Sequence, residues 1–161
     1  MSAQRVLIVD DDPALLQALP QTLRLRMSDV LVDTADSALA ALERIREREY
    51  DAIVTDIKMP GMNGLVLLAE ILARRPDTPT LMITGHGEYD LALQCLRGGA
   101  YDFIQKPIDR EQFLTSLQRA IEAHTLKRRL HEHSIALERC LSELERVVAR
   151  LGREAQSPRA P

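Results

Sequence analysis

With 161 residues, 45% apolar and 28% charged, the chain has the size and composition of one folded domain with a modest appendage, which excludes disordered and fibrous classes. A formal net charge of -3 leaves no electrostatic footprint for DNA, and 3% aromatic residues are too few for a platform that stacks single-stranded bases. Cys95 and Cys140 lie far apart without metal-ligand or disulfide spacing, no charged-then-apolar leader opens the chain, and no apolar run is long enough to span a bilayer, so a cytoplasmic protein is expected.

Residues 5–9 (Arg-Val-Leu-Ile-Val) form a short continuous apolar run, the pattern of a strand buried on both faces. Asp12 then caps a helix that starts at Pro13, and Leu15, Leu16, Leu19 and Leu23 follow at helical spacing. Residues 30–32 give a second strand, and Asp36 is placed as the N-cap of a helix whose buried stripe is Ala38, Leu39, Ala41, Leu42 and Ile45. Residues 52–55 are the third strand, with Asp56 at its carboxyl end. A loop leads to a helix from Leu65 that carries Leu67, Leu68, Ile71 and Leu72. Residues 80–83 form the fourth strand, ending in Thr84-Gly85-His86-Gly87. A helix over 88–97 stops at Gly98-Gly99. Residues 101–105 are the fifth strand, Lys106-Pro107 closes it, and Asp109 with Gln112 opens the last helix as a capping box. Five strands alternating with helices predict an α/β fold with a parallel sheet covered on both faces.

In such a sheet a ligand site forms beyond the carboxyl ends of the strands, which directs attention to Asp10, Asp11, Asp56, Thr84 and Lys106. One aspartate after a strand is ordinarily a turn or cap residue, and Asp12 is read that way. Three carboxylates, a hydroxyl and an amine at one edge are a different matter. Carboxylates packed together raise each other's pKa unless a cation offsets them, which implies a hard divalent ion, magnesium best of all. An aspartate can attack phosphorus, with the metal, Lys106 and Thr84 neutralising charge on the equatorial oxygens.

Val9-Asp10-Asp11-Asp12-Pro13, Thr55-Asp56-Ile57-Lys58-Met59-Pro60-Gly61-Met62-Asn63-Gly64, Ile83-Thr84-Gly85 and Gly99-Ala100-Tyr101-Asp102-Phe103-Ile104-Gln105-Lys106-Pro107 together resemble the receiver domain of two-component response regulators. The resemblance covers about residues 5–121. It implies a doubly wound, flavodoxin-like five-stranded parallel sheet in the order 2-1-3-4-5, over a domain of residues 1–122. It also implies that Asp56 accepts a phosphoryl group from a sensor histidine kinase or a histidine phosphotransfer protein. Asp10 and Asp11 become the acidic pair for Mg2+, Asp11 binding directly and Asp10 through water, with Asp56 and the Lys58 backbone carbonyl as further ligands. Thr84 and Lys106 contact the phosphoryl group, and a cis bond before Pro107 is in keeping with similar proteins. The Lys58 and His86 side chains lie near the phosphate and tune its lifetime. Phe103 holds the aromatic switch position without the hydroxyl of a tyrosine. Thr84 and Phe103 then remodel the face of the fourth helix, fifth strand and fifth helix toward a downstream protein target.

Beyond Ile121 the pattern changes to heptads. Leu130, Leu137, Leu144 and Leu151 recur every seven residues, with Leu141 and Val148 between them and polar Lys127 and Ser134 weakening the first half. Residues 123–153 are therefore read as a coiled-coil extension that forms a homodimer or folds back on the domain. Gly152 is placed at the helix end, and residues 154–161 are read as disordered. His131-Glu132-His133 sits at spacing that points the two imidazoles apart, as on a solvated face. No phosphate loop or helix-turn-helix is present, so output by protein contact, without direct DNA or membrane binding, is expected. The same helix is where a longer regulator would lead to an effector.

Two rival readings remain at this stage. Asp10-x-Asp12 after a strand also resembles the nucleophile and acid of haloacid-dehalogenase-type phosphatases, and a receiver-like fold can serve as an interaction module that is never phosphorylated.

Overall fold

The computed structural model describes residues 3–157. Its elements, in chain order, are β1 (Gln4–Val9), α1 (Pro13–Arg26), β2 (Val30–Ala35), α2 (Ala38–Glu47), β3 (Ala52–Asp56), α3 (Gly64–Arg74), β4 (Thr80–Thr84), α4 (Tyr89–Arg97), β5 (Asp102–Gln105) and α5 (Arg110–Gln156). The strands form one parallel sheet in the order β2-β1-β3-β4-β5. The α/β class and the strand order both match the expectation.

The sheet is buried on both sides, and successive residues of β1 serve different cores. Val6 and Ile8 join Leu19 and Leu23 of α1 and Phe113, Leu117 and Ile121 of α5. Leu7 and Val9 face Ala38, Ala41 and Ile45 of α2 and Leu67 and Ile71 of α3. A third cluster, Ile57, Leu68, Met82, Cys95 and Ala100, sits under α4 with Phe103 packed against it. Cys95 is thereby a buried free thiol, and Cys140 an exposed one.

Side-chain caps start the helices where expected, with two differences. Asp12 accepts from the Ala14 amide, and Asp109 accepts from the Glu111 and Gln112 amides. At α2 the cap is Ser37, whose hydroxyl accepts from Ala40, and not Asp36. Strand β2 runs on to Ala35, so the chain turns later than its apolar pattern indicates. The second difference is at α4, which begins at Tyr89; the Glu88 side chain makes no cap bond.

Gly152 does not end the last helix, because α5 runs through it to Gln156. Residues 154–156, expected to be disordered, are helical, and 158–161 lie outside the described residues. The helical hydrogen-bond ladder tolerates one glycine at a cost of about 1 kcal/mol, which long flanking helix absorbs. The chain divides into two compact units after Thr125, three residues beyond the expected boundary at 122. Within the first unit, His124 Nδ1 lies 3.2 Å from Asp51 Oδ1 and keeps α5 tied to the domain that far. In the second unit every described residue is exposed. No helix among the described residues is long and apolar enough to cross a membrane.

Candidate phosphoacceptor site

Register alone brings the singled-out residues together. Val9 pairs with Thr55, so Asp10 and Asp56 leave neighbouring strands at the same level. Asp56 pairs with Ile83, which puts Thr84 one residue further on, and Thr84 pairs with Gln105, which puts Lys106 one step beyond that. Four strands thus deliver their functional groups as a short staircase along one sheet edge.

The side chains close that staircase. Lys106 Nζ donates to Asp56 Oδ2 at 2.9 Å, and the Lys58 amide donates to Asp56 Oδ1 at 3.3 Å. One carboxylate oxygen each from Asp10, Asp11 and Asp56 lies within 4.8 Å of the others. Asp10 and Thr84 are fully buried and Asp56 nearly so, whereas Asp11 is exposed. Asp10 Oδ1 accepts from the Asp12 amide at 2.9 Å, while Asp10 Oδ2 and Thr84 Oγ1 are buried without a protein partner. A buried orphan carboxylate oxygen beside two more carboxylates fits a hard divalent cation taking oxygen ligands. The Lys106-Pro107 bond is cis.

Electrostatics follow from this crowding. Burial pushes the Asp10 carboxyl up from 3.8 to about 6; the Asp12 amide opposes the rise, Asp56 and Asp11 add to it, and Lys106 reduces it. For Lys106, burial works to lower the pKa. The hydrogen bond and charge of Asp56, with Asp10 and Asp12 behind, outweigh it and hold the ammonium above its ordinary range.

A consequence can be measured on metal-free protein. Because the folded chain binds the Asp10 proton more tightly than the unfolded chain, the stability from neutral Asp10 is fully present below pH 3.8 and is lost as the pH rises through about 6. Asp10→Asn suffers no such loss. Its thermal midpoint should pull ahead of wild type by several degrees across that window, and a difference that stays flat with pH would show the buried carboxyl carries no penalty.

Of the remaining expected residues, Phe103 pairs in register with Met82, on the same sheet face as Thr84, and is half-buried. Lys58 and His86 are exposed at the rim. The Lys58 side chain does not turn to Asp56: it forms an ion pair with Glu88. Glu88 also accepts from the Gly85 amide at 2.8 Å, and these two bonds hold its carboxyl below the ordinary range, the lysine contributing most. Sequence reading missed Glu88, treating it as the start of a helix, because thirty residues separate it from Lys58. The phosphatase alternative is not favoured. Asp12 spends its carboxylate on the Ala14 amide, and that mechanism gives the Asp56–Lys106 contact no role.

The comparisons agree with the geometry. A family profile described as response regulator receiver domain matches residues 6–118. The chain is 41% identical over 153 residues to the C4-dicarboxylate transport transcriptional regulatory protein DctD of Pseudomonas aeruginosa, covering 94% of this chain and 32% of that protein. It is 38% identical over 122 residues to the response regulator protein PilR of the same organism, covering 73% and 27%. The chain therefore spans a third or less of the length of these relatives. Among solved structures, a CheY-like response regulator receiver domain protein from Methanospirillum hungatei matches with a TM-score of 0.73 at 29% identity, covering 78% of this chain and 99% of that one. NtrX from Brucella abortus matches with a TM-score of 0.74 at 34% identity, covering 81% and 29%. Fold, staircase and sequence similarity converge on one statement: this chain belongs to the response-regulator receiver-domain family, whose members are signalling phosphoacceptors and not metabolic enzymes.

Proposed function

We propose that Asp56 is the phosphoacceptor, and that its donor is a phosphohistidine on a sensor histidine kinase or histidine phosphotransfer protein. The observation that carries this is the Lys106 ammonium 2.9 Å from a nearly buried Asp56 carboxylate, beside two further carboxylates. An Asp56 oxygen attacks phosphorus; the P–O bond forms as the N–P bond breaks, and the departing imidazole nitrogen keeps the bonding pair. Lys106 passes from the carboxylate to a phosphoryl oxygen, and the unpartnered Thr84 hydroxyl donates to another. Asp11, Asp56 and the Lys58 carbonyl would hold Mg2+, with Asp10 acting through water; bound there, the ion supplies charge neutralisation at the phosphoryl oxygens.

The donor has a place to dock. A groove of about 350 Å³ lies between α1 and residues 106–108, lined by Leu15, Leu19, Thr22, Pro107 and Ile108 and reaching Lys106. Once phosphate draws Thr84 toward it, Phe103 turns inward, and the phosphorylated population favours a remodelled α4-β5-α5 face. That face already exposes Tyr89, Leu93, Leu96 and Tyr101 to a protein target. The setting is cytoplasmic and output is by protein contact, not by DNA binding of this chain. Labelling with acetyl phosphate and Mg2+, followed by peptide mapping, should place a single phosphate on Asp56; a label on Asp10 would instead favour the phosphatase reading.

The heptad helix is assigned to pairing with a second copy of the chain. Its seam residues Leu130, Leu137, Leu141, Leu144, Val148 and Leu151 are each exposed by 59% or more in one chain. A lone helix cannot bury such a stripe. Light scattering should give a dimer mass for the full chain and a monomer mass for Leu137→Lys/Leu144→Lys, whereas equal masses would point to a different partner for the stripe.

A further inference from the structure

The phosphoacceptor chemistry leaves the Glu88 carboxylate, a charged group near the strand end, without a task. It lies four residues past Thr84, yet it turns back onto the strand end. One oxygen takes the Gly85 amide at 2.8 Å and the other meets the Lys58 ammonium. A Cβ built on Gly85 would sit 3.0 Å from the Glu88 carboxyl carbon, so the carboxylate lies flat over that residue. Gly85 and Lys58 also sit next to residues at the place where phosphate would be added. Gly85 follows Thr84 on the strand beside Asp56, and Lys58 is two residues beyond Asp56 with its amide already on that carboxylate.

Resting on the assignment of Asp56 as phosphoacceptor, we propose that Glu88 is an internal anion that occupies the Gly85 amide and the Lys58 ammonium until the phosphoryl group displaces it. Glu88 is a positioning residue in this scheme. Two anions compete for one pair of donors, and the segment between β4 and α4 is held in its unphosphorylated arrangement while the carboxylate wins. Displacement frees the N-terminus of α4, so site occupancy and movement of α4 are linked through one side chain. The exposed Lys58 pair is screened by solvent, so the Gly85 bond carries more of the restraint.

The test is a titration of the full chain with beryllofluoride and Mg2+, followed by the amide resonance of Gly85. Glu88→Ala should bind the phosphate mimic about tenfold more tightly than wild type, as expected for losing one charge-assisted competitor, and Glu88→Gln should fall between them. Already in the free protein, the Gly85 amide of Glu88→Ala should shift and exchange faster. Gly85→Ala provides a second variant: its methyl group pushes the carboxylate aside and should tighten binding in the same direction. Equal or weaker binding by both Glu88→Ala and Gly85→Ala overturns the proposal while wild-type binding leaves the phosphoacceptor assignment standing. If wild type itself takes up no mimic, and Asp56→Asn behaves identically, the assignment fails and the competition falls with it.

Discussion

Asp56→Asn should reduce labelling by acetyl phosphate to background while leaving the fold intact. The carboxamide keeps the shape of the side chain and an oxygen able to accept from Lys106, so the 2.9 Å contact has a neutral successor. What is lost is the nucleophile, since an amide oxygen does not form a stable acyl phosphate. The substitution also removes a negative charge beside Asp10, whose raised pKa is partly due to Asp56, so metal-free Asp56→Asn should be at least as stable as wild type. Lys106→Ala provides the contrast. It keeps the nucleophile and removes a donor to the transferring group, so labelling should persist at a rate lower by roughly 100-fold. Full labelling of Asp56→Asn would mean that the acceptor is another residue and that the sheet-edge staircase has a different purpose.

Gly64→Ala should destabilise the protein more than any other single methyl addition near the site. A Cβ at Gly64 would lie 2.5 Å from the Ile57 Cα and 2.6 Å from the Asp56 carbonyl oxygen, both backbone atoms that cannot rotate away. The Gly64 amide also donates to the Ile57 carbonyl at 2.6 Å, which pins the start of α3 against the end of β3. Overpacking against backbone at such distances costs about 3 kcal/mol, or a thermal midpoint roughly 10 °C lower in a chain of this size. Because the displaced atoms belong to Asp56 and Ile57, phosphorylation of the folded fraction should slow as well. Calorimetry of Gly64→Ala beside wild type decides it: a midpoint within a degree would mean that the α3 start shifts freely and does not position Asp56.

Much of the architecture could be read from residue order alone, for reasons that are local. Continuous apolar runs such as Val6 to Val9 mark doubly buried strands, Asp12 before Pro13 marks a helix start, and strand–helix alternation requires a parallel sheet. The acidic residues, Thr84 and Lys106 stood out because each lies at or just past the carboxyl end of a strand, and parallel strands point all their carboxyl ends the same way. The errors were local too. Choosing Asp36 over Ser37 as a cap was a choice between two adjacent capping residues, decided by where β2 stopped pairing. Ending α5 at Gly152 gave one residue's propensity more weight than the helix around it.

Chain order by itself determined the fold class, the set of polar groups gathered at the strand ends, and a heptad pattern, since all three depend on spacing along the backbone. Only the folded chain decided which of those groups touch. Lys106 meets Asp56 across fifty residues, the Lys58 side chain pairs with Glu88 and not with Asp56, and Gly64 presses on the backbone of Ile57. Such contacts depend on strand register and side-chain direction, which parallel pairing and packing set at long range and which no local pattern encodes.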